Sequence, residues 1–215
     1  MNPVTVVVPL FNGRDLVADC LRSIPDGAEV IVVDDGSVDG APELVETTFP
    51  QARLLRNPQN LGFAATANRG LRLGSGRLRV VLNSDARLRP GALERLDAAL
   101  DDDAVGVVGP RIVFPDGSHQ LSAARFPTIG TTLAGSFLLN EIYRLFRPNG
   151  RFFWESALSR RDSLDTQDVD WVMGTCLGLR DTCVDQLGGF DVGRDLGARQ
   201  ITIKGHDHVG GFVVE

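Results

Sequence analysis

The chain of 215 residues predicts an α/β fold, Rossmann-like, with a mainly parallel sheet covered by helices on both faces. Three observations carry that prediction. Strand-like and helix-like patterns alternate through the first half, as they do when each strand is returned to the sheet by a crossover helix. The strand segments, residues 4–8, 30–33 and Leu78–Leu82, are dominated by β-branched apolar residues, the pattern of strands buried on both faces. Each run then stops abruptly in a polar loop, and in open α/β sheets ligands bind where strand carboxyl ends meet loops.

Taken in order, the first run (4–8) is closed by Pro9, which cannot donate to a ladder. Leu16, Val17, Cys20, Leu21 and Ile24 then repeat at helical spacing until Pro25. Strand 30–33 leads into Asp34-Asp35-Gly36-Ser37, followed by a helix near Ala41–Thr48 with Pro42 suited to its first turn. Residues 52–55 predict a third strand, residues 63–73 a helix of small residues stopped at Gly74, and Leu78–Leu82 a fourth strand. Pro90 opens a helix through Leu100, and Asp101-Asp102-Asp103 is expected to be a solvated loop. Residues 105–108 predict a strand, and 112–114 with 120–121 a hairpin around Pro115-Asp116-Gly117-Ser118. Residues 128–146 predict a core or lid helix, with an amphipathic helix touching a membrane surface as the competing reading. Residues 170–179 predict one strand returning to the sheet, and Asp181–Leu187 a short helix capped by Gly188-Gly189.

Composition narrows the function. With 43% hydrophobic and 23% charged residues, the expectation is a soluble globular protein, and a net charge of −6 argues against nucleic-acid binding by bulk electrostatics. Cys20, Cys176 and Cys183 are odd in number and widely spaced, as expected of reduced thiols in a cytoplasmic protein. No N-terminal signal pattern and no bilayer-length apolar run are visible. The last residues differ from the rest: the sole lysine, Lys204, lies beside His206 and His208. Two histidines with no third ligand predict no metal site.

Chemistry concentrates at the strand ends. Adjacent carboxylates at Asp34 and Asp35 are costly if idle, which suggests a site accepting hydrogen bonds from a base or ribose; a solvated turn is the competing reading. Neither G-x-x-x-x-G-K-[ST] nor a G-x-G-x-x-G after the first strand is present, so a diphosphate ligand would need a divalent cation. Asp85 is placed to supply one carboxylate, while Asn83 could be a neutral oxygen ligand or a sugar contact. A capping turn before Pro90 competes for the Asn83-Ser84-Asp85 segment.

The set V-V-V-P-L-F-N-G (residues 6–13), V-V-D-D-G-S-V-D-G (32–40), N-x-G-F-A-x-x-x-N (60–68), L-N-S-D (82–85) and W-V-M-G-T…G-G-F-D (171–191) resembles glycosyltransferase family 2. It is most similar to the rhamnosyltransferase-like members with the GT-A fold. The motifs fall in family order over residues 4 to about 191, giving a transferase domain at 1–191 and an atypical or truncated tail at 192–215. The resemblance implies an inverting transfer of a sugar from a nucleotide diphosphate donor, dTDP- or UDP-linked, with Mg²⁺ or Mn²⁺. The acceptor implied is a saccharide or lipid-linked molecule of cell-envelope polysaccharide synthesis, with a peripheral contact at the inner membrane face. By position, Pro9, Asn12, Asp34 and Asp35 would line the nucleoside pocket, and Asn60, Gly62 and Asn68 its edge. Asn83-Ser84-Asp85 stands at the family's D-x-D element, with Asn83 and Ser84 on the donor and Asp85 on the metal. Trp171 and Gly174 would face the acceptor. On this reading Asp35→Ala weakens nucleoside binding with little effect on folding.

One departure stands out. Relatives carry an acidic pair within roughly ten residues of Gly-Gly-Phe-Asp, the second acid being the base, whereas here Asp191 is followed by V-G-R-D-L-G-A-R-Q. Asp191 and Asp195 are the nearest candidates for the base, and Asp207 a remote one. A divergent tail and an altered gene end are the two explanations. A catalytically impaired nucleotide-sugar-binding protein is therefore the alternative to an active transferase. A sugar nucleotidyltransferase is disfavoured because no glycine-rich basic loop follows the first strand. A signalling receiver domain is disfavoured because the lysine expected on a later strand end is missing.

Overall fold

A computed structural model describes residues 3–114, 119–120, 122–124, 167–192, 200–201 and 209–212. The elements in order are β1 (Val4–Leu10), α1 (Arg14–Arg22), β2 (Glu29–Asp34), α2 (Ala41–Thr48), β3 (Arg53–Arg56), α3 (Phe63–Leu71), β4 (Leu78–Leu82), α4 (Ala92–Ala99) and β5 (Val107–Pro110). Then follow β6 (Ile112–Val113), β7 (His119–Gln120), β8 (Ala123–Ala124), β9 (Gln167–Val169), β10 (Trp171–Met173), β11 (Cys176–Arg180), α5 (Asp181–Leu187), β12 (Gln200–Ile201) and β13 (Val209–Phe212).

The main sheet runs β3-β2-β1-β4-β11-β5-β13-β9. Strands β3, β2, β1 and β4 are mutually parallel; β11 is inserted antiparallel between β4 and β5, and β13 is parallel to β5. The expected mainly parallel α/β sheet is present, with helices on both faces. Alternate side chains of each strand build the two cores. On one face Val6, Val8, Leu10, Val32, Val80 and Leu82 pack with Val17 and Cys20 of α1, Val45 of α2, and Leu93 and Leu96 of α4. On the other, Val7, Ile31, Val33, Val81 and Leu177 pack with Ala67 and Leu71 of α3 and Val184 of α5.

Helix α3 lies very close to the sheet because its packing face is made of small residues. A methyl group added at Gly70 would overlap the Val7 side chain and stand 3.1 Å from Val33 Cγ2. Gly70→Ala should therefore cost about 1–3 kcal/mol of stability through overpacking, measured by denaturant unfolding, although alanine is the better helix former.

Three expectations need correction. First, β1 continues through Pro9 to Leu10, pairing with β2 as far as Leu10↔Asp34, whereas its ladder with β4 ends at Val7↔Val81. The Leu10 carbonyl accepts from Asp35 N on the β2 side, so the donor that Pro9 lacks would point towards β4, beyond that ladder's end. Second, residues 170–179 are not one strand. They break at Gly174–Thr175 into β10, which pairs with β8 and β12 in a separate sheet, and β11 in the main one. Third, β5 begins at Val107, two residues later than expected. The hairpin holds, β6 pairing antiparallel with β7. The acidic run 101–103 is exposed, Asp101 bonding Arg77 and Asp103 facing Arg180. The 128–146 segment, Asp195, His206, Asp207 and His208 lie outside the described residues. No helix among the described residues is long and apolar enough to cross a membrane.

Candidate active site

Because β2, β1 and β4 are adjacent and parallel, the loops after them leave the same edge of the sheet. The loop after β1 is the hub. Asn12, at a φ of 48°, has the left-handed backbone that asparagine tolerates better than most residues. Its backbone N–H donates to Ser37 Oγ at 2.9 Å and its Oδ1 accepts from Val38 N at 3.0 Å, clasping the loop after β2. On the other side, a methyl at Gly13 would meet Ser84 Oγ at 3.2 Å, so the Asn83–Asp85 turn presses against this loop. Gly36, at a φ of 78°, would bring a methyl within 3.0–3.1 Å of the Gln59 and Asn60 backbone, which places the loop after β3 beside it. Pro9 and Asp34, at the ends of strands β1 and β2, and Asn12, Asp35, Asn60, Gly62, Asn83, Ser84 and Asp85, in the loops beyond the strands, thus gather at one edge of the sheet.

Asp39 stitches the starts of α1 and α2. Its Oδ2 accepts from Arg14 N at 2.9 Å and its Oδ1 from Ala41 N at 3.0 Å. Partial burial pushes its carboxyl up, but these backbone donors, with Arg14 nearby, outweigh that and hold it below its ordinary 3.8. A depressed folded-state pKa gives stability that is fully present above the unfolded value and lost as pH falls through the folded one. The stability advantage of the native chain over Asp39→Asn should therefore be constant above pH about 4 and vanish on further acidification, as measured by unfolding curves across that range.

The paired acids differ in role. Asp34 Oδ1 accepts from Ser37 N at 3.2 Å and shapes its own turn. Asp35 is only 4% exposed and reaches across to the next loop: Oδ1 accepts from Asn57 Nδ2 at 2.8 Å and Leu61 N at 2.9 Å, and Oδ2 from Gly62 N at 3.0 Å. Asn57 Nδ2 also donates to Thr66 Oγ1, and its Oδ1 accepts from Arg69. A buried polar network therefore fixes the loop after β3, and Asp35 carries a structural duty that its place in the motif did not reveal. Asn57, Thr66 and Arg69 were not singled out from sequence. The signal available was Asn57, a polar residue between β3 and Pro58 with no apolar face to join.

Asn68 also departs from expectation. Expected at the edge of the nucleoside pocket, it is buried and instead clasps the backbone of Phe190: Nδ2 donates to Phe190 O at 2.8 Å, and Oδ1 accepts from Phe190 N at 2.7 Å. The Gly188–Asp191 turn, and with it Asp191, is thereby tied to α3. Across the sheet, Asn83 N donates to Thr175 O at 3.0 Å, which sets the turn containing buried Gly174 against the Asn-Ser-Asp segment. Trp171, on β10, leads into that turn and is partly buried.

Cys20 lies under this edge, with its thiol 3.5 Å from the Asn83 carbonyl. Burial, then Cys176 and Asp85, push its thiol up to about 12, and burial alone does the same for Cys176. Both remain neutral thiols. Among the described residues no group of three His, Cys, Asp or Glu side chains could hold a metal by itself. The one exposed carboxylate of the Asn-Ser-Asp turn, Asp85, fits instead a cation shared with a ligand's phosphates and water.

The chain is similar to known proteins over most of its length. It is 32% identical over 176 residues to the N-acetylglucosaminyl-diphospho-decaprenol L-rhamnosyltransferase of Mycobacterium tuberculosis (strain CDC 1551 / Oshkosh), covering 75% of this chain and 55% of that protein. It is 31% identical over 177 residues to the succinoglycan biosynthesis protein ExoO of Rhizobium meliloti (strain 1021), covering 77% and 50%. The chain thus spans about half the length of these curated relatives. In structure it is similar to the mannosyltransferase PcManGT from Pyrobaculum calidifontis, described in complex with GDP-Man and Mn²⁺, with a TM-score of 0.59 and 23% identity over 98% of this chain and 56% of that one. That likeness establishes the GT-A fold. The family model for glycosyl transferase family 2 matches residues 5–167, and the chain belongs to that family.

Proposed function

We propose that this chain carries a glycosyl unit from a nucleotide diphosphate sugar, dTDP- or UDP-linked, to a saccharide or lipid-linked acceptor, with inversion at the anomeric carbon. The observation that carries the reading is the convergence of four loops at one sheet edge: Asn12 clasps Ser37 and Val38, Gly36 abuts Asn60, and Ser84 abuts Gly13. The name of the mycobacterial relative, an L-rhamnosyltransferase of a diphospho-decaprenol-linked sugar, supports a deoxyhexose donor and a lipid-linked acceptor, and that of the rhizobial relative supports a place in polysaccharide biosynthesis; the reading puts the reaction at the cytoplasmic membrane face.

In this reading Pro9, Asn12, Asp34, Asp35, Asn60 and Gly62 form the nucleoside side of the crevice, and Asn83 and Ser84 contact the donor beyond it. Asp85 would hold a Mg²⁺ or Mn²⁺ ion, which when bound offsets the charge of the diphosphate. Trp171 and Gly174 border the acceptor. The acceptor oxygen forms its bond to the anomeric carbon as the carbon–oxygen bond to the diphosphate breaks on the opposite face, and Asp191 takes the hydroxyl proton. Asp195 is the other candidate for that base.

The missing acidic pair after Asp191 favours one second reading, a protein that binds the donor and turns it over poorly. A thermal-shift screen of UDP, dTDP and GDP with and without Mn²⁺, followed by an assay of nucleoside diphosphate release from the matching sugars, tests both. A ligand at about 100 times its Kd adds about 2.7 kcal/mol to the native state. Metal-dependent stabilisation with turnover supports the transferase, and stabilisation without turnover supports the binding protein. No stabilisation by any of the three overturns both.

A further inference from the structure

Asn68 and Phe190 are 122 residues apart, yet the asparagine side chain meets both backbone polar groups of Phe190, much as a neighbouring strand would. The turn that they fix is delivered to the site edge by topology. β11 runs antiparallel to β4, from Cys176↔Leu82 at the loop-bearing edge to Arg180↔Leu78 at the far one, and α5 then leads the chain back. Three attachments hold this return. At its base, buried Arg79 of β4 bonds Asp185 of α5 at 3.0 Å and the Leu71 carbonyl of α3 at 3.3 Å. At its tip, the Phe190 ring lies 6.3 Å from Phe63, the first residue of α3. Between them, the Gly189 backbone runs so close to Asn68 that a methyl there would overlap its Oδ1, and its φ of 98° already excludes most side chains.

From this geometry we infer that Asn68 is a positioning residue for the proposed transfer: it fixes the Gly188–Asp191 turn so that the Asp191 carboxylate is held for the acceptor. The inference rests on the proposed function for its chemistry. The clasp itself stands on hydrogen bonds alone. Asn68 is 3% exposed, so an amide at this helix position has no solvent role to play. Apolar side chains of similar size would fill the space without bonding Phe190, which makes the amide the informative group.

The test uses the full chain, with Asn68→Ala, Asn68→Asp and Gly189→Ala, which breaks the same clasp from the other side. Hydrogen exchange is read at residues 188–191, and nucleoside diphosphate release is read from dTDP-rhamnose, UDP-N-acetylglucosamine and GDP-mannose with Mn²⁺. Exchange of the Phe190 amide should rise about tenfold in Asn68→Ala and Gly189→Ala, while Asn68→Asp, which keeps the acceptor, should rise less. Turnover should fall about 10- to 100-fold with donor KM unchanged, and combining Asn68→Ala with Asp191→Ala should cost no more than Asp191→Ala alone. Unchanged exchange at Phe190 overturns the clasp. Additive losses with Asp191→Ala overturn its action through that residue. Absence of turnover by the unaltered chain on all three donors overturns the proposed activity instead, leaving the exchange result to decide the clasp.

Discussion

Asp35→Ala is expected to lower the unfolding free energy by about 3 kcal/mol and the melting temperature by about 10 °C. The carboxylate satisfies Asn57 Nδ2 and the backbone N–H groups of Leu61 and Gly62, all within 3.0 Å. Truncation removes the acceptor and leaves these donors facing a cavity, each costing about 1–3 kcal/mol unless water enters. Asp35→Asn should be nearly as harmful, because its amide turns a donor towards another donor. Asp34→Ala loses a single bond to Ser37 N and should cost only about 1 kcal/mol. Scanning calorimetry of the three variants measures the difference. A loss below about 2 °C for Asp35→Ala would show that the network closes without it, returning Asp35 to a purely ligand-facing role.

Asp85→Ala is expected to remove the metal-dependent part of nucleoside diphosphate affinity. Binding of UDP or dTDP in Mn²⁺ should weaken at least about tenfold, or about 1.4 kcal/mol, while the weak binding measured with chelator stays unchanged. The sharpness of the effect follows from the donor set: among the described residues Asp85 belongs to no group of three or more His, Cys, Asp or Glu side chains able to hold the ion. Titration calorimetry of both proteins, with Mn²⁺ and with chelator, separates the two terms. Equal affinity of variant and native chain in Mn²⁺ would refute the assignment. The side chain is exposed, so folding should be spared, and an unaltered melting temperature without ligand serves as the control.

How much of this was legible in the residues depends on the range of the interaction that decides each feature. Strand β4 and helices α2 and α5 have the boundaries expected, because the apolar residues of β4, Gly40 and Pro42 at the start of α2, and Gly188 after α5 act locally. Polar loops at the carboxyl ends of the strands were expected to carry the site, and parallel neighbours bring such loops to one edge. The break at Gly174 was invisible: D-W-V-M-G-T-C-L-G-L is evenly apolar, and which half joins which sheet is settled by distant partners at Ala123, Ile201, Leu82 and Val108. The duties of Asp35 and Asn68 were hidden for the same reason. A carboxylate after a strand has the same local pattern whether it faces a ligand or a neighbouring loop, and only the positions of Leu61, Gly62 and Phe190 distinguish the cases.

The insertion of β11 has a consequence for the order of assembly. Strands β4 and β5 are never neighbours; each meets β11, whose residues follow Leu82 by more than ninety positions. During synthesis the N-terminal unit can collapse early, but the outer side of β4, a buried strand in the finished protein, stays unsealed until Cys176–Arg180 has left the ribosome. Such an exposed ladder invites pairing between nascent copies. Chains released before that point should accumulate as aggregates, and the late strand acts as the keystone that closes the sheet.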